Sequence, residues 1–225
     1  MPMKITKPLN NILNTRIKIN ILRFFCRTHA EWNGRQIAKE IGVSPKSAHE
    51  ALSALNKERV LLLRNMGKTH VYSLNTDNFL VSNLLEPLFL KEDAILNDVI
   101  KLIKRKISVS RTKKDVISVA IFGSISAGVD HPASDIDIAV VVEDAKAKTA
   151  VERLFEEIDP KISKEFGNVV SPYINTKTEF KAKYKKGLAV IKSILKSHNL
   201  IYGESWKRYY DAQKDKNRRS RKGRL

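Results

Sequence analysis

The first sixty residues contain three stretches whose apolar positions recur with the spacing of an α-helix. They cover residues 15–29, residues 35–41, and a segment from Ser44 to about Lys57. The last of them opens with Ser44-Pro45, an N-cap residue followed by the residue that suits the first helical position. The pattern therefore predicts three short helices, the second and third of which are joined by a tight turn.

Two β-prone runs follow these helices, at residues 60–64 and 69–74, and Gly67 lies between them. Such runs around a glycine predict a β-hairpin. Three helices and a hairpin in this order, over about residues 15–76, resemble the winged-helix regulators of the ArsR/MarR kind. We therefore predict a winged helix-turn-helix domain in the first third of the chain.

The resemblance implies that the second helix of the pair enters the major groove of duplex DNA and that the hairpin lies along the DNA backbone. Docking of a protein partner is the alternative use of such a module. The residues implied at base edges are Lys46, Ser47, His49 and Glu50, and those implied near phosphate are Arg64, Lys68 and His70.

Helical spacing of leucine and isoleucine returns after residue 79 and continues to about residue 111, with an interruption near Pro87. One or two amphipathic helices in this segment either connect two domains or form the face of a homodimer. The sequence leaves both alternatives open.

A strongly β-prone run, Val116–Phe122, ends in Gly123-Ser124. A glycine lets the backbone come close to a phosphate, and a serine hydroxyl can donate to phosphate oxygens together with nearby N–H groups. Gly123 and Ser124 are therefore predicted to bind the phosphates of a nucleotide.

Ten residues after this pair, Ser134-Asp-Ile-Asp137 runs directly into a second apolar strand. Alternation along the strand places Asp135 and Asp137 on one face, about 7 Å apart. Two such carboxylates can share a pair of divalent ions that bridge a triphosphate, and Mg²⁺ suits oxygen ligands of this kind. Asp135 and Asp137 are the predicted catalytic and metal-binding residues, and Ser134 is predicted to orient the strand entry beside the nucleotide.

The order of strand, Gly-Ser, spacer and Asp-x-Asp resembles the minimal nucleotidyltransferases, small relatives of DNA polymerase β, over about residues 115–180. The resemblance implies a polymerase β-like fold with a small mixed sheet and helices. It also implies Mg²⁺-dependent transfer of a nucleoside monophosphate from a nucleoside triphosphate, with ATP as the first candidate, to an acceptor hydroxyl. Some members of this group are antitoxins, so a toxin-like partner protein is a further alternative.

Two positions depart from the pattern of that family. Many members carry an arginine in the loop after Gly-Ser, where this chain has Ile-Ser-Ala-Gly. A third carboxylate normally comes from a later strand, and the predicted strand over residues 168–174 offers Ser171 there, while Glu165 or Glu179 could replace it only in another register. The chain is therefore either an enzyme or a DNA-binding regulator, or antitoxin, whose transferase domain binds nucleotide with weak or no transfer.

The C-terminal region is predicted to form one amphipathic helix from Glu179 to about His198 and a short extended ending at residues 199–203. The remaining residues, 204–225, are predicted to be a basic, disordered tail, within which Lys214–Arg224 is a polar run too hydrophilic to fold alone. A disordered arm that binds nucleic acid is the preferred interpretation of this tail, and mere solubility is the second.

Charge is distributed unevenly along the chain, whose formal net charge is +18. Residues 1–78 carry +8, residues 79–180 carry −2 and residues 181–225 carry +12. Basic ends around a near-neutral middle favour a polyanionic partner such as double-stranded DNA. The single Cys26 excludes an internal disulfide, and the five histidines show no zinc-ligand spacing. Without an apolar run of membrane-spanning length or a secretory start, the chain is expected to be cytoplasmic and to make no membrane contact.

Together these features predict a two-domain α/β (α+β) protein. Its predicted parts are an N-terminal arm (1–14), a winged helix-turn-helix domain (15–78), a helical linker (79–114), a nucleotidyltransferase domain (115–203) and the basic tail (204–225).

Overall fold

The computed structural model describes residues 5–131 and 134–206. The chain divides into two compact units, residues 1–95 and residues 96–225. Of the predicted basic, disordered tail (204–225), residues 204–206 are described, and Trp206 among them is fully buried; from residue 207 onward the tail lies outside the described residues. None of the described helices is both long enough and apolar enough to cross a bilayer.

The first unit has the winged-helix arrangement that the sequence predicts. Its helices bury apolar side chains such as Ile21, Phe25 and Leu52 in one core, which the hairpin also enters. The helices of this unit are α1 (Leu9–Ile12), α2 (Arg16–Thr28), α3 (Gly34–Glu40) and α4 (Pro45–Lys57).

Polar side chains fix where these helices begin. The Ser44 hydroxyl accepts the N–H of Ser47 at 3.1 Å, so Ser44-Pro45 starts α4 as the sequence predicts. Asn33 and Gln36 form a reciprocal capping box at the start of α3. Such caps satisfy backbone N–H groups that a helix leaves without internal partners.

The wing is a hairpin of β2 (Leu61–Met66) and β3 (Thr69–Leu74), and Gly67 has a positive φ of 59° at its turn. A short strand that the sequence does not predict, β1 (Trp32–Asn33), pairs with β3 to give the sheet order β1-β3-β2. Two residues are too few to show a period, so only their pairing with β3 identifies them as a strand.

Helical structure occupies most of the region that the sequence assigns to a linker. A π-helical turn, Val81–Leu85, leads into the long helix α5 (Glu86–Val109), and the division between the units falls within α5. At the other end of the first unit, α1 forms within the segment assigned to an N-terminal arm, and its Ile12 is fully buried.

The second unit is built on a four-stranded mixed sheet of order β6-β5-β4-β7. β5 runs antiparallel to β4 and parallel to β6, and β7 is antiparallel to β4. The strands are β4 (Val116–Phe122), β5 (Ile136–Val142), β6 (Val170–Thr176) and β7 (His198–Gly203).

Apolar side chains cover both faces of this sheet. On one face, Ile138 and Val140 pack with residues of α5 and of the 22-residue helix α7 (Ala145–Phe166). On the other face, Ala139 and Val141 pack with α8 (Lys177–Lys185), α9 (Ala189–Lys196) and Trp206. A sheet buried on both faces needs near-continuous apolar strands, which explains the composition of β4 and β5.

The prediction of one helix from Glu179 to about His198 is wrong, because α8 and α9 are separate. Gly187 has a φ of 68°, the left-handed conformation that ends a helix. Its N–H donates to the Tyr184 carbonyl at 2.9 Å, and the N–H of Leu188 donates to the Lys183 carbonyl at 3.2 Å. The apolar spacing continues across this break because both helices pack on the same sheet face.

Strand β6 lies at the edge of the sheet, where a proline is tolerated. Pro172 has no N–H to offer, the N–H of Val170 donates to Asp159 at 2.8 Å, and the N–H of Thr176 donates to Glu179 at 2.9 Å. At these three positions no backbone N–H is left for a further strand to pair with, which protects the edge against pairing with another chain.

Candidate functional site

Asp135 and Asp137 lie where β5 begins. Asp135 precedes the strand and is exposed, while Asp137 is its second residue and is half-buried. By strand alternation, Asp137 shares its face with Ala139 and Val141, the face covered by α8 and α9. The predicted metal-binding pair therefore stands at one end of the sheet, beyond the apolar core.

Gly123 lies directly against Asp137. It opens the five-residue helix α6 (Gly123–Ala127) after β4 and has a φ of 75°. A Cβ at this position would overlap Asp137 Oδ2 and lie 3.2 Å from its Cγ. The glycine is therefore required by the adjacent carboxylate as well as by the backbone, a reason that the sequence alone does not show.

The electrostatics of the pair favour a bound cation. Burial raises the pKa of the Asp137 carboxyl, and the charge of Asp135 raises it further. A cation with oxygen ligands would relieve this repulsion and stabilise both ionised carboxylates.

The loop between α6 and β5 is closed by its own hydrogen bonds. Ser134 accepts the N–H of His131 on its hydroxyl at 2.9 Å and donates its own N–H to the His131 carbonyl at 2.8 Å. Earlier in the loop, the N–H of Val129 donates to the Ser124 carbonyl at 3.0 Å. Ser134 thus stabilises the loop just before Asp135. Ser124, the residue after Gly123, is half-buried.

Ser171 is the register partner of Asp137 on the parallel strand β6. Partners on adjacent strands project to the same side, about 4.8 Å apart. A serine hydroxyl therefore lies beside Asp137, where the sequence predicts Ser171 instead of a third carboxylate.

The second candidate surface belongs to the first unit and combines α4 with the wing. Lys46 and His49 are exposed on the first turns of α4. Ser47 is less available, because its hydroxyl is bonded to the Ser44 hydroxyl at 2.9 Å. On the wing, Lys68 is exposed at the hairpin turn.

Arg64 differs from the other predicted phosphate contacts because it forms an ion pair with Glu31. A groove of about 490 Å³ between α3, α4 and the wing is lined by other basic side chains and not by Arg64. It is lined by Asn33, Gly34, Arg35, Pro45, His49, Lys68, Thr69, His70 and Tyr72. Arg35 was not predicted from the sequence, since it is the fold that brings the start of α3 to the wing.

Residues 104–206 match the sequence model of the family described as "Polymerase beta, Nucleotidyltransferase". They include Gly123-Ser124, directly after β4, and the Asp135/Asp137 pair where the adjacent strand β5 begins. This region is a polymerase β-type nucleotidyltransferase domain. The match begins within α5, before the first strand of the sheet, and confirms the resemblance inferred from the sequence.

Solved structures with low sequence identity resemble parts of the chain. A homodimeric winged helix-turn-helix DNA-binding domain from Mycobacterium bovis, described as a possible ArsR-family transcriptional regulator, is 20% identical, with a TM-score of 0.33 and coverage of 38% of this chain and 76% of its own. The antimony-specific transcriptional repressor AntR is 23% identical, with the same TM-score and coverage of 38% and 76%. A toxin–antitoxin structure with AMP-PNP is 18% identical, with a TM-score of 0.32 and coverage of 57% and 90%. No curated protein matches the chain.

Neither alternative third acid of the nucleotidyltransferase domain lies at Asp137. Glu179 accepts the N–H of Thr176 and pairs with Lys148 at 3.0 Å, and both contacts lower its pKa. Thr176 lies five residues along β6 from Ser171, or about 16 Å.

Glu165 is exposed on α7, which packs on the opposite face of the sheet from Asp137. Within residues 5–131 and 134–206, no group of three histidine, cysteine, aspartate or glutamate side chains could hold a metal ion. The register that pairs Ser171 with Asp137 is present, and it is not the one in which Glu165 or Glu179 could replace the third acid.

Proposed function

We propose that the protein is a Mg²⁺-dependent nucleotidyltransferase that transfers a nucleoside monophosphate from a nucleoside triphosphate to an acceptor hydroxyl, and that its winged helix binds duplex DNA. ATP is the first candidate for the triphosphate. The observation that carries the proposal is the Asp135/Asp137 pair at the start of β5, with Gly123 packed against Asp137, in a polymerase β-type domain.

The side chains at this end of the sheet fit Mg²⁺. Asp135 and Asp137 offer only oxygen ligands, and their mutual repulsion contributes to the raised pKa of Asp137. Bound at this pair, Mg²⁺ would neutralise the charge that develops on the phosphate during transfer.

The remaining groups of the site bind and orient the nucleotide. Gly123, without a side chain, leaves room for the Asp137 carboxylate, which lies where a Cβ would be. We expect the Ser124 hydroxyl to donate to a phosphate oxygen, while Ser134 holds the loop that leads to Asp135.

Ser171 has a consequence for the rate of transfer. An acceptor hydroxyl needs a metal or a base to become a competent nucleophile. Because Ser171 rather than a carboxylate pairs with Asp137, we expect nucleotide binding with slow transfer.

The same observation favours a second candidate function, a DNA-binding regulator whose nucleotidyltransferase domain senses nucleotide without transferring it. Homodimerisation, a toxin-like partner and a cytoplasmic location stay predictions from the sequence.

Titration calorimetry of ATP with and without Mg²⁺ tests the binding part of the proposal. Affinity should require the divalent ion and collapse in Asp135→Ala/Asp137→Ala, and ATP with Mg²⁺ should raise the Tm of the parent chain. The variant Asp130→Ala is the matched control, because Asp130 is an exposed carboxylate of the same loop. Equal affinity with and without Mg²⁺ would remove the aspartate pair from the site.

Pyrophosphate release from each nucleoside triphosphate, with cell extract as a source of acceptors, tests the catalytic part. Ser171→Asp should raise turnover because it adds a carboxylate beside Asp137, whereas Ser171→Asn, similar in size but uncharged, should not. Fast turnover by the parent chain would contradict the role given to Ser171. Tight Mg²⁺-dependent binding without turnover in any of these proteins would favour the nucleotide-sensing regulator.

A further inference from the structure

The turn that follows β4 has no cation for a triphosphate. Residues 123–128 read Gly-Ser-Ile-Ser-Ala-Gly. A bound nucleoside triphosphate brings several negative charges, and hydrogen bonds from ionised donors are the strongest that a protein can offer them. A donor from another part of the sheet is therefore of interest.

The strand register places one histidine in line with Asp137. Ile121 pairs with Ile138, so the next residues, Phe122 and Asp137, occupy neighbouring positions on β4 and β5. Phe122 in turn pairs with His198, the first residue of β7. His198 lies two strands from Asp137, or about 10 Å, on the same sheet face and beyond the turn that starts at Gly123.

Packing holds the His198 ring while leaving its nitrogens available. The imidazole stacks on the indole of Trp206, with centroids 5.1 Å apart and an interplanar angle of 16°. Trp206 is fully buried and also packs against Phe180 at 5.3 Å. Among the described residues, the half-buried imidazole has no hydrogen bond or ion pair.

The residue before His198 contacts the turn of residues 123–128 that follows β4. The hydroxyls of Ser197 and Ser126 are 3.5 Å apart, which joins the start of β7 to α6. The position of His198 is therefore fixed relative to Gly123 and Ser124 by strand pairing and by this contact.

We propose that His198 donates a hydrogen bond to the terminal phosphate of the bound nucleoside triphosphate, in place of a basic residue in the turn. This inference rests on the proposed function. The reacting phosphate must lie at Asp137, the rest of the triphosphate passes Gly123 and Ser124, and His198 is the next polar side chain along the same row. An imidazole has one N–H donor when neutral and two when charged, so it can serve as this donor in either state.

Binding of ATP and AMP, each with Mg²⁺, to His198→Phe tests the proposal by calorimetry. Phenylalanine keeps an aromatic ring against Trp206, so the Tm without nucleotide should stay close to that of the parent chain. ATP affinity should fall about 10-fold, the effect of removing a hydrogen bond to a charged group, and AMP affinity should stay unchanged. His198→Arg, which restores a cationic donor, should bind ATP at least as tightly as the parent chain.

Lys196→Gln is the matched control, since Lys196 is exposed two residues earlier, on the last turn of α9. Its ATP affinity should change less than about 2-fold at roughly 0.15 M salt, where exposed charges are screened. If His198→Phe fails to fold, His198→Gln replaces it. Its ATP affinity should fall, but by less than the about 10-fold expected for phenylalanine, because its amide still donates.

Each other outcome overturns the inference. Unchanged ATP affinity in His198→Phe, an equal loss in Lys196→Gln, or a parallel loss of AMP affinity would each reject His198 as the phosphate donor. If the parent chain binds ATP and only the His198 result is negative, the proposed function stands. Absence of ATP binding by the parent chain would reject both.

Discussion

Replacing Gly123 by alanine tests the contact between Gly123 and Asp137. The new methyl group would overlap Asp137 Oδ2, and the φ of 75° is itself unfavourable for any residue with a Cβ. Gly128→Ala is the matched control, because Gly128 has a similar φ of 68° but no heavy atom lies within 4 Å of the position of its Cβ.

The two variants separate backbone strain from the contact. A left-handed conformation costs about 1–2 kcal/mol for a residue with a Cβ, and both variants incur this cost. The lower entropy of the unfolded chain offsets some of it, by about 0.4–1 kcal/mol in each. Gly123→Ala must also turn Asp137 away from its rotamer, which costs about 0.5–1.5 kcal/mol. Gly123→Ala should therefore be less stable than Gly128→Ala by about 1 kcal/mol.

The functional difference should be larger than the difference in stability. Displacing Asp137 should weaken Mg²⁺-dependent ATP binding about 10- to 100-fold, as loss of support for a metal ligand does. Gly128→Ala should bind ATP within about 2-fold of the parent chain, because its strain leaves the aspartate pair in place.

Denaturant unfolding measures the stability of the nucleotidyltransferase domain if its own tryptophan is the probe. Trp32 lies in the first unit and Trp206 in the second, so a Trp32→Phe background leaves Trp206 fluorescence to report the second unit alone. Equal ATP affinity in Gly123→Ala and Gly128→Ala would refute the reasoning, since it would mean that Asp137 either does not move or does not bind the metal.

Two predictions concern the first unit. In Lys46→Glu/Lys68→Glu, DNA affinity should fall and the slope of log affinity against log salt should decrease by about 2. Arg64→Gln should lower DNA affinity less, because Arg64 pairs with Glu31. Fluorescence anisotropy over a salt series measures the affinity and the slope, and salt-independent binding would contradict the proposed DNA interface. Burial raises the pKa of the Cys26 thiol from 9.0 to about 12, and the charge of Glu86 adds to the rise. Between these pH values the thiol ionises in the unfolded chain but not in the folded one, so the free energy of unfolding should decline from pH 9 towards pH 12. Cys26→Ala should therefore lessen the decline of the unfolding free energy between pH 9 and pH 12, measured by denaturant titration, and an unaltered decline would contradict the assignment.

Local features of the sequence were sufficient to predict much of the winged helix. Ser44 caps α4, Gly67 adopts the positive φ of the hairpin turn, and the apolar spacing identifies α2. These signals act over a few residues, because a cap or a turn requires a particular side chain or backbone freedom at one position. The two-residue spacing of Asp135 and Asp137 is a local signal of the same kind, since alternation along a strand is enough to predict that they share a face.

Features that depend on distant parts of the chain were predicted incompletely or not at all. The sequence does not show that Arg64 pairs with Glu31, and the helical spacing after Glu179 does not show the break at Gly187. The two-residue strand β1 exists only because β3 lies beside it. For Arg64 and for β1, the partner that decides the contact lies elsewhere in the sequence. For the break at Gly187, one long helix and two short helices have the same apolar pattern.

By itself, the sequence determined the kind of protein: a winged helix followed by a nucleotidyltransferase domain whose Gly-Ser follows one apolar strand and whose Asp-x-Asp begins the next. Tertiary structure alone decided what surrounds Asp137. Gly123 packs against it, and His198 joins its row from a strand that begins far beyond Phe122 in the chain. The physical reason is that strand register is set by the burial of both sheet faces over the whole domain, so the neighbours of one carboxylate are fixed only when the sheet is complete.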